Sequence, residues 1–328
     1  MSFNLGKQGF GLMNLTWRPK VTPDEQAFAV IKKAIDLGAT FLNSGEFYGV
    51  DPPEANLLLL NRFFTKYPEL ASKTVLSVKG AMDNKTLAPK GTPEGIRESV
   101  DNILKALGGT KKLDLFECAR VDKTVPIETT MATLGELIKE GKVGGISLSE
   151  VGPETIRRAA AAHKIEAVEV EFSLWSLEAR ELGVLQTCGE LGIPVVAYSP
   201  LGRGFLTGSV KSRADIPAGD MRLIMERFSE ENFPINLKLV DELHKIAAEK
   251  GVAPSHLALA WIKKNEQYIP GLKIVPIPGG TTVAQVEENF AAYPELTDAE
   301  YERLETVLKT FEVKGGRYFA RAASHLWG

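Results

Sequence analysis

Short apolar runs alternate with longer amphipathic stretches from residue 9 to residue 290. The runs are Gly9 to Leu12, Ala39 to Leu42, Thr74 to Val78, Leu113 to Cys118, Gly145 to Leu148, Ala167 to Val170, Pro194 to Tyr198 and Lys273 to Ile277. Alternation of this kind predicts βαβ units and a parallel sheet. In the first amphipathic stretch Phe28, Ile31 and Ile35, with Ala27 and Ala34, recur at helical spacing and give one apolar face to lie against strands. Thr22-Pro23-Asp24-Glu25 and Thr92-Pro93-Glu94 each read as an N-cap threonine before an N1 proline, and Gly38 and Gly108 as the ends of those helices.

Eight such units predict an α/β (β/α)8 TIM barrel, with residues 1–328 forming a single domain. The rival is an open doubly wound sheet, which would carry a Gly-x-Gly-x-x-Gly turn after its first strand. Gly9-Phe10-Gly11-Leu12-Met13-Asn14 lacks the third glycine. Two segments fall outside the repeat. Leu201 to Asn232 is a long connection after the seventh run, and a loop of that length is expected to be functional or mobile. The tail from Val313 to Gly328, with Arg317, Tyr318, Phe319, Arg321 and Trp327, either covers the barrel mouth or is a poorly ordered end.

A content of 44% hydrophobic and 25% charged residues is that of a globular chain. A net charge of −3, with Lys and Arg spread along helical stretches, gives no footprint for nucleic acid or an anionic membrane surface. No apolar run reaches the roughly 18 residues a membrane span needs. Cys118 and Cys188 stand in apolar surroundings without metal spacing and read as buried thiols. With no secretory or transit pattern at the N-terminus, a cytoplasmic location is expected.

In a barrel of this type the chemistry sits where strands end. Those positions hold Asn14, Thr16 and Trp17; then Asn43, Glu46 and Tyr48; then Lys79; Ala119 and Arg120; Ser149 and Glu150; Tyr198, Ser199, Gly202 and Arg203; and Gly279, Gly280 and Thr281. A buried ammonium must be paired or lose its charge. Lys79 therefore either forms an ion pair with an acidic core residue or stands beside Tyr48 and lowers its phenol pKa, making Tyr48 a proton donor. His163, His244, His256 and His325 lie elsewhere, so neither a serine-type triad nor a metal site is expected. Pro276-Ile277-Pro278-Gly279-Gly280-Thr281-Thr282, opening a helix, has the make-up of an anion site.

Taken together, these segments resemble the aldo-keto reductases over nearly the whole chain. The resemblance rests on Gly45-Glu46-Phe47-Tyr48-Gly49, Leu76-Ser77-Val78-Lys79-Gly80, Asp114 to Asp122, Glu171-Phe172-Ser173-Leu174-Trp175-Ser176, Ala197 to Gly204 and Ile277-Pro278-Gly279. It implies a barrel that binds a nicotinamide dinucleotide without a Rossmann fold. The family builds its site from Asp, Tyr, Lys and His; here Tyr48 and Lys79 match, while Asn43 and Ala119 replace the Asp and the His. Those replacements, with Trp17-Arg18-Pro19 and Phe116 to Asp122, most resemble the fungal pyridoxal reductase branch.

The resemblance implies NADPH, in preference to NADH, as cofactor and a small aldehyde, pyridoxal, as substrate. It assigns Ser149 and Glu169 to the carboxamide, Tyr198 to the nicotinamide ring, and Ser199, Leu201, Gly202 and Arg203 to the pyrophosphate, with the long loop covering the cofactor. Gly279, Gly280, Thr281, Gln285, Glu288 and Asn289 fall to the adenosine end. Thr281, Thr282 and Gln285 stand where many relatives carry basic residues. Trp17, Phe47, Ala119 and Arg120 face the substrate, Arg120 either binding it or pairing with Asp122. Strand alternation puts Glu117 on the face of Ala119, so Glu117 is expected to replace the missing carboxylate, with Lys79 as its partner. A monomer is expected. Two alternatives stay open: a reductase of other aldehydes or ketones, and a cofactor-sensing barrel subunit.

Overall fold

The computed structural model describes residues 3–328. Eight parallel strands pair in chain order: β1 Phe10–Gly11, β2 Phe41–Gly45, β3 Val75–Gly80, β4 Leu115–Cys118, β5 Gly145–Ser149, β6 Ala167–Glu171, β7 Val195–Tyr198 and β8 Ile274–Pro276. The ring closes between its ends. Gly9 N donates to Pro276 O at 3.0 Å, Gly11 N donates to Pro278 O at 3.3 Å, and Gly11 pairs in parallel with Gly279. A β-carbon on Gly9 would stand 2.8 Å from Phe41 O, so this closure needs glycine. The fold is the expected (β/α)8 barrel. Every apolar run overlaps a strand, and β2 extends further than its run, so Asn43 lies inside the strand and not at its end.

Side chains alternate across the barrel wall as strands require. Leu42, Leu76, Val78, Phe116, Ile146, Leu148, Val168, Val170 and Val195 join the main core with the helices outside. Phe41, Leu115, Ala167, Val196, Val275 and Ile277 instead form a separate apolar cluster. They occupy the alternate positions, point inward, and make an apolar floor. Above that floor, at the same parity, come Asn43, Ser77, Lys79, Glu117, Ser147, Ser149, Glu169 and Glu171, all buried. The barrel is thus dry at one end and filled with polar groups towards the mouth.

The helix starts differ from one another. Thr92 caps the helix Pro93–Leu107, accepting from Gly95 N at 3.2 Å, and Gly108 closes it in the left-handed region at φ 58°. The helix Asp24–Asp36 starts one residue later than Thr22 implies. Pro23 occupies its N-cap and no side chain caps it, because Thr22 is too far back to reach the free amides. Among the described residues no helix is long and apolar enough to cross a membrane, and no His, Cys, Asp and Glu cluster could hold a metal ion. Both cysteines are buried and free.

Neither segment outside the repeat is loose. Residues 201–232 form short 3-10 turns, pinned where Phe205 packs on Trp175 at 4.5 Å and on Phe233 at 5.2 Å between ring centroids. The tail crosses the mouth. Arg317 forms ion pairs with Glu150 at 2.8 Å and Glu171 at 3.2 Å, beyond β5 and at the end of β6, and Gly152 N donates to Gly328 O at 3.2 Å. Of the two expectations for the tail, the covering one holds.

Candidate active site

Four inward side chains from four strands meet in one cluster. The Lys79 ammonium forms an ion pair with Glu169, stands 3.2 Å from Glu117 Oε1, and donates to Asn43 Oδ1 at 3.2 Å. Asn43 Nδ2 in turn donates to Glu169 Oε2 at 2.6 Å and to Glu117 Oε1 at 3.3 Å. The register explains the proximity: Lys79 sits beside Glu117 across β3 and β4, while Asn43 lies one step lower on β2, beside Ser77. All four side chains are buried. Charges removed from water persist only when paired and hydrogen-bonded, and here the two glutamates share Lys79 as their cation. Burial opposes the Lys79 charge, but the two carboxylates outweigh it and raise its pKa above the ordinary lysine value.

Glu169 is engaged within the cluster: one of its oxygens accepts from Lys79 and the other from Asn43. With no carboxylate at 43, Lys79 draws in those of β4 and β6 together. Burial first, and the neighbouring Glu117 carboxylate second, push the Glu169 carboxyl up to about 8 against the pull of Lys79.

Tyr48 lies beside this cluster, its ring centroid 5.9 Å from Lys79 Nζ. Trp17 stacks on it at 5.6 Å, Phe47 meets it edge-on at 5.4 Å, and Ala119 completes an apolar wall with Met13 and Met82. A β-carbon on Gly45 would come within 2.8 Å of the Tyr48 ring, so the glycine is what lets the ring lie against the end of β2. Burial pushes the Tyr48 phenol pKa up to about 12; Lys79 lowers it as expected but does not outweigh burial, and Glu169 and Glu117 add to the rise.

A second charged cluster closes the mouth. Glu150, buried at φ 53°, accepts from Arg317 and from the Tyr198 hydroxyl at 2.8 Å, and Glu171 pairs with Arg317 and with Arg203 at 3.3 Å. Tyr318 shares a hydrogen bond with Tyr198 at 2.9 Å between hydroxyl oxygens. Its ring lies between two guanidiniums, Arg203 at 5.1 Å and Arg120 at 5.4 Å from the centroid. Arg120 donates to Ala119 O at 2.5 Å and does not pair with Asp122. Asp122 is held instead by the amides of Gly91 and Thr124 and by the Thr124 hydroxyl, so it shapes its own turn. The sequence pointed to Glu150, Arg317 and Tyr318 only as neighbours of the mouth and missed Glu171 as their partner. The signal was present, because Glu169 and Glu171 alternate in an otherwise apolar strand.

The remaining expected positions divide by end. Ser149 Oγ is buried and has no hydrogen-bond partner among the described residues. Ser199, Gly202, Arg203 and Gly204 all have positive φ, forming a tight turn beyond β7; Leu201 is buried within it. At the other end Gln285 and Thr282 form a capping box on the helix Val283–Phe290, and Gln285 Oε1 also accepts from Thr281 N at 2.8 Å. Asn289 donates to Gly279 O at 3.1 Å, bracing the turn from the helix that follows it, and Glu288 accepts from Ser255 on the helix Pro254–Lys264.

Comparison with known proteins identifies the family of the chain. The model of the Aldo/keto reductase family matches residues 7–309. A probable pyridoxal reductase 2 of Schizosaccharomyces pombe is 44% identical, covering 99% of this chain and 98% of its own. A putative pyridoxal reductase of Saccharomyces cerevisiae is 42% identical over 94% of this chain and 95% of its own. An aldo-keto reductase of S. pombe, yakc, named with NADP(+), is 38% identical over 97% and 93%. A glycerol dehydrogenase from Gluconobacter oxydans shares the fold, with a TM-score of 0.80 at 20% identity over 97% of this chain and 96% of its own. With a matching barrel, a tyrosine beside a buried lysine and family-level similarity along nearly all its length, the chain belongs to the aldo/keto reductase family of oxidoreductases, which act on carbonyl and alcohol groups with a nicotinamide cofactor.

Proposed function

We propose that this single-domain barrel is an NADPH-dependent pyridoxal reductase in which Tyr48 donates the proton. The observation that carries the reading is the Tyr48 phenol set beside a buried Lys79 ammonium that two carboxylates hold in its charged form. A phenol with its pKa pushed up to about 12 keeps its proton throughout the physiological range. As the carbonyl oxygen becomes basic, that proton moves to it, and the Lys79 charge favours the phenolate left behind. Trp17, Phe47 and Ala119 form the wall against which an aromatic aldehyde would lie, and Arg120 stands at its polar edge.

The residues fit a dinucleotide at its nicotinamide end. The orphaned Ser149 hydroxyl suits a carboxamide, Tyr198 offers a ring, and the turn at Ser199, Gly202 and Arg203 offers backbone and a guanidinium to phosphates. When bound, the reduced nicotinamide supplies a hydride to the carbonyl carbon. NADPH rests on the NADP-linked and pyridoxal reductase relatives, since Thr281, Thr282 and Gln285 place no cation at the adenosine end.

The test is cofactor oxidation followed with pyridoxal, benzaldehydes and simple ketones, each with NADPH and NADH. Highest kcat/KM for pyridoxal with NADPH supports the reading. Preference for another carbonyl moves it to the wider reductase class, and tight cofactor binding without turnover on any of them would make the chain a cofactor sensor.

A further inference from the structure

Inside the barrel two buried carboxylates share one ammonium. Glu117 is 0% and Glu169 2% exposed, and Lys79 is the cation that forms an ion pair with either among the described residues. Their other shared partner, Asn43, is neutral. The mouth cluster is built to a different balance: there Glu150 and Glu171 meet two guanidiniums, Arg317 and Arg203. The remaining titratable groups do not correct the inner imbalance. Tyr48 faces the cluster from beyond β2 and Tyr318 from the tail, and β7 presents Tyr198, whose hydroxyl is held by Glu150 and Tyr318. β5 contributes the hydroxyls of Ser147 and Ser149, and β1 and β8 carry no titratable residue. A second carboxylate charge in such a place costs several kcal/mol unless the group takes up a proton. Both carboxyls converge on Lys79 Nζ and Asn43 Nδ2, and Glu117 Oε2 is buried with no hydrogen-bond partner among the described residues, an oxygen on which a proton would meet no competing donor.

We propose that Glu117 and Glu169 hold one proton between them, and that this proton, by keeping the Lys79 cluster electroneutral, is what allows Tyr48 to give up its own. The two glutamates are positioning residues: they act through Lys79. This rests on the reading of Tyr48 as proton donor. With the shared proton in place the ammonium is balanced by one carboxylate. When the proton is lost to solvent the cluster carries one negative charge, and a phenolate at Tyr48 becomes harder to form. One O–H bond breaks, and nothing is oxidised or reduced. The Glu169 carboxyl, pushed up to about 8 by burial and by Glu117, places that loss on the alkaline side of neutrality.

Three measurements test the proposal. In the wild-type protein, without substrate, infrared spectra should show the carbonyl stretch of a neutral carboxylic acid below neutrality and its loss on alkaline titration. Its absence overturns the proposal, and this arm needs no variant. Glu169→Gln and Glu117→Gln each leave one carboxylate for one ammonium. Both should lack the infrared band and should carry kcat/KM for carbonyl reduction past the wild-type alkaline limb before it falls; an unmoved limb in both refutes the idea. Stability gives an independent sign. A carboxyl raised from 4.5 in the unfolded chain to about 8 in the fold contributes stability present below the lower value and lost as pH rises through the upper. Glu169→Gln should therefore flatten the fall of Tm across that window, and an unchanged slope counts against the proposal. If no carbonyl is reduced at any pH, the proposed function fails, while the infrared and melting arms still report on the proton.

Discussion

Replacing Arg317 by alanine should unfasten the tail and destabilise the whole barrel, in a pH-dependent way. Arg317 is 5% exposed and is the charged partner of Glu150, which is fully buried, with a second bond to Glu171 and its guanidinium 4.8 Å from the Trp327 ring. Glu171 retains Arg203 in the variant, but Glu150 keeps only the Tyr198 hydroxyl as a side-chain partner. Removing one member of a buried pair costs about 3–5 kcal/mol, and the surviving partners favour the lower end, ~3 kcal/mol. An unfolding entropy of about 2.1 cal/mol/K per residue over 328 residues turns this into a fall in Tm of ~4 °C. The pH dependence follows from Glu150. Burial raises its pKa, but Arg317 outweighs burial and holds it below the ordinary value, so its contribution is present above the unfolded pKa and is lost as pH falls through the folded one. Without Arg317 burial prevails, and the stranded carboxylate must take up a proton or remain uncompensated. The Tm difference between wild type and variant should therefore be widest at neutral and alkaline pH and shrink in acid. Thermal melts across pH, with hydrogen exchange on residues 313–328, measure both effects. A Tm difference that is the same at every pH, or that stays within about 1 °C, would refute the assignment of Arg317 as the latch.

Tyr48→Phe keeps the stacking on Trp17 and removes only the acid, so turnover should fall by ~10²- to 10⁴-fold with cofactor affinity nearly unchanged, by steady-state kinetics and cofactor fluorescence titration. Ser149→Ala removes a hydroxyl that has no hydrogen-bond partner among the described residues; it should leave Tm unchanged and weaken the binding of reduced cofactor roughly 5- to 10-fold, about the worth of one hydrogen bond. Asn43→Asp puts a third carboxylate against Lys79 and removes the amide donor that joins the other two. It should lower Tm and activity, and Asn43→Asp with Glu169→Gln should recover much of both; strictly additive losses would show that the groups do not act as a unit.

The barrel was legible because its strands are buried on both faces, which makes them short continuous apolar runs, and because a closed ring in chain order leaves few other topologies. Thr92 and Gly108 were legible since a cap is a local matter. Thr22 was not, because the same Thr-Pro pair is compatible with Pro23 at N1 or at the cap, and in the fold Pro23 takes the cap with non-helical backbone. In the site, alternation put Glu117 on the face of Ala119, while Asn43 and Lys79 were legible as strand-end residues and Glu169 through the resemblance. What the sequence could not supply was the distance across the barrel: β4 and β6 are not neighbours, yet both send a carboxylate to one lysine. The resemblance drew Glu169 towards a carboxamide and gave no sign that its two oxygens accept from Lys79 and Asn43. Tyr48 shows a related limit, since a single pairing with Lys79 points downward while burial, which only the fold reveals, points up.

The two replacements in the tetrad have linked physical consequences. Asn43 moves negative charge off β2, the strand that leads into the Tyr48 loop, and onto β4 and β6 behind Lys79. Lys79 stays charged, while the side nearest the phenol becomes neutral. Ala119 removes an imidazole from the wall that holds Trp17, Phe47 and Tyr48, leaving Tyr48 as the polar group in that cluster. On the proposed reading, orientation of a polar substrate then falls to groups further out: Arg120, Arg203 and the Tyr318 ring between them. Tyr318 adjoins Arg317, which is fixed by Glu150 and Glu171. The tail is therefore coupled to the site through Arg317 and through Tyr318. Loss of Arg317 should raise KM for pyridoxal more than it lowers kcat, since the Tyr48 and Lys79 cluster stays intact; a fall confined to kcat would place the tail's influence on the chemical step instead.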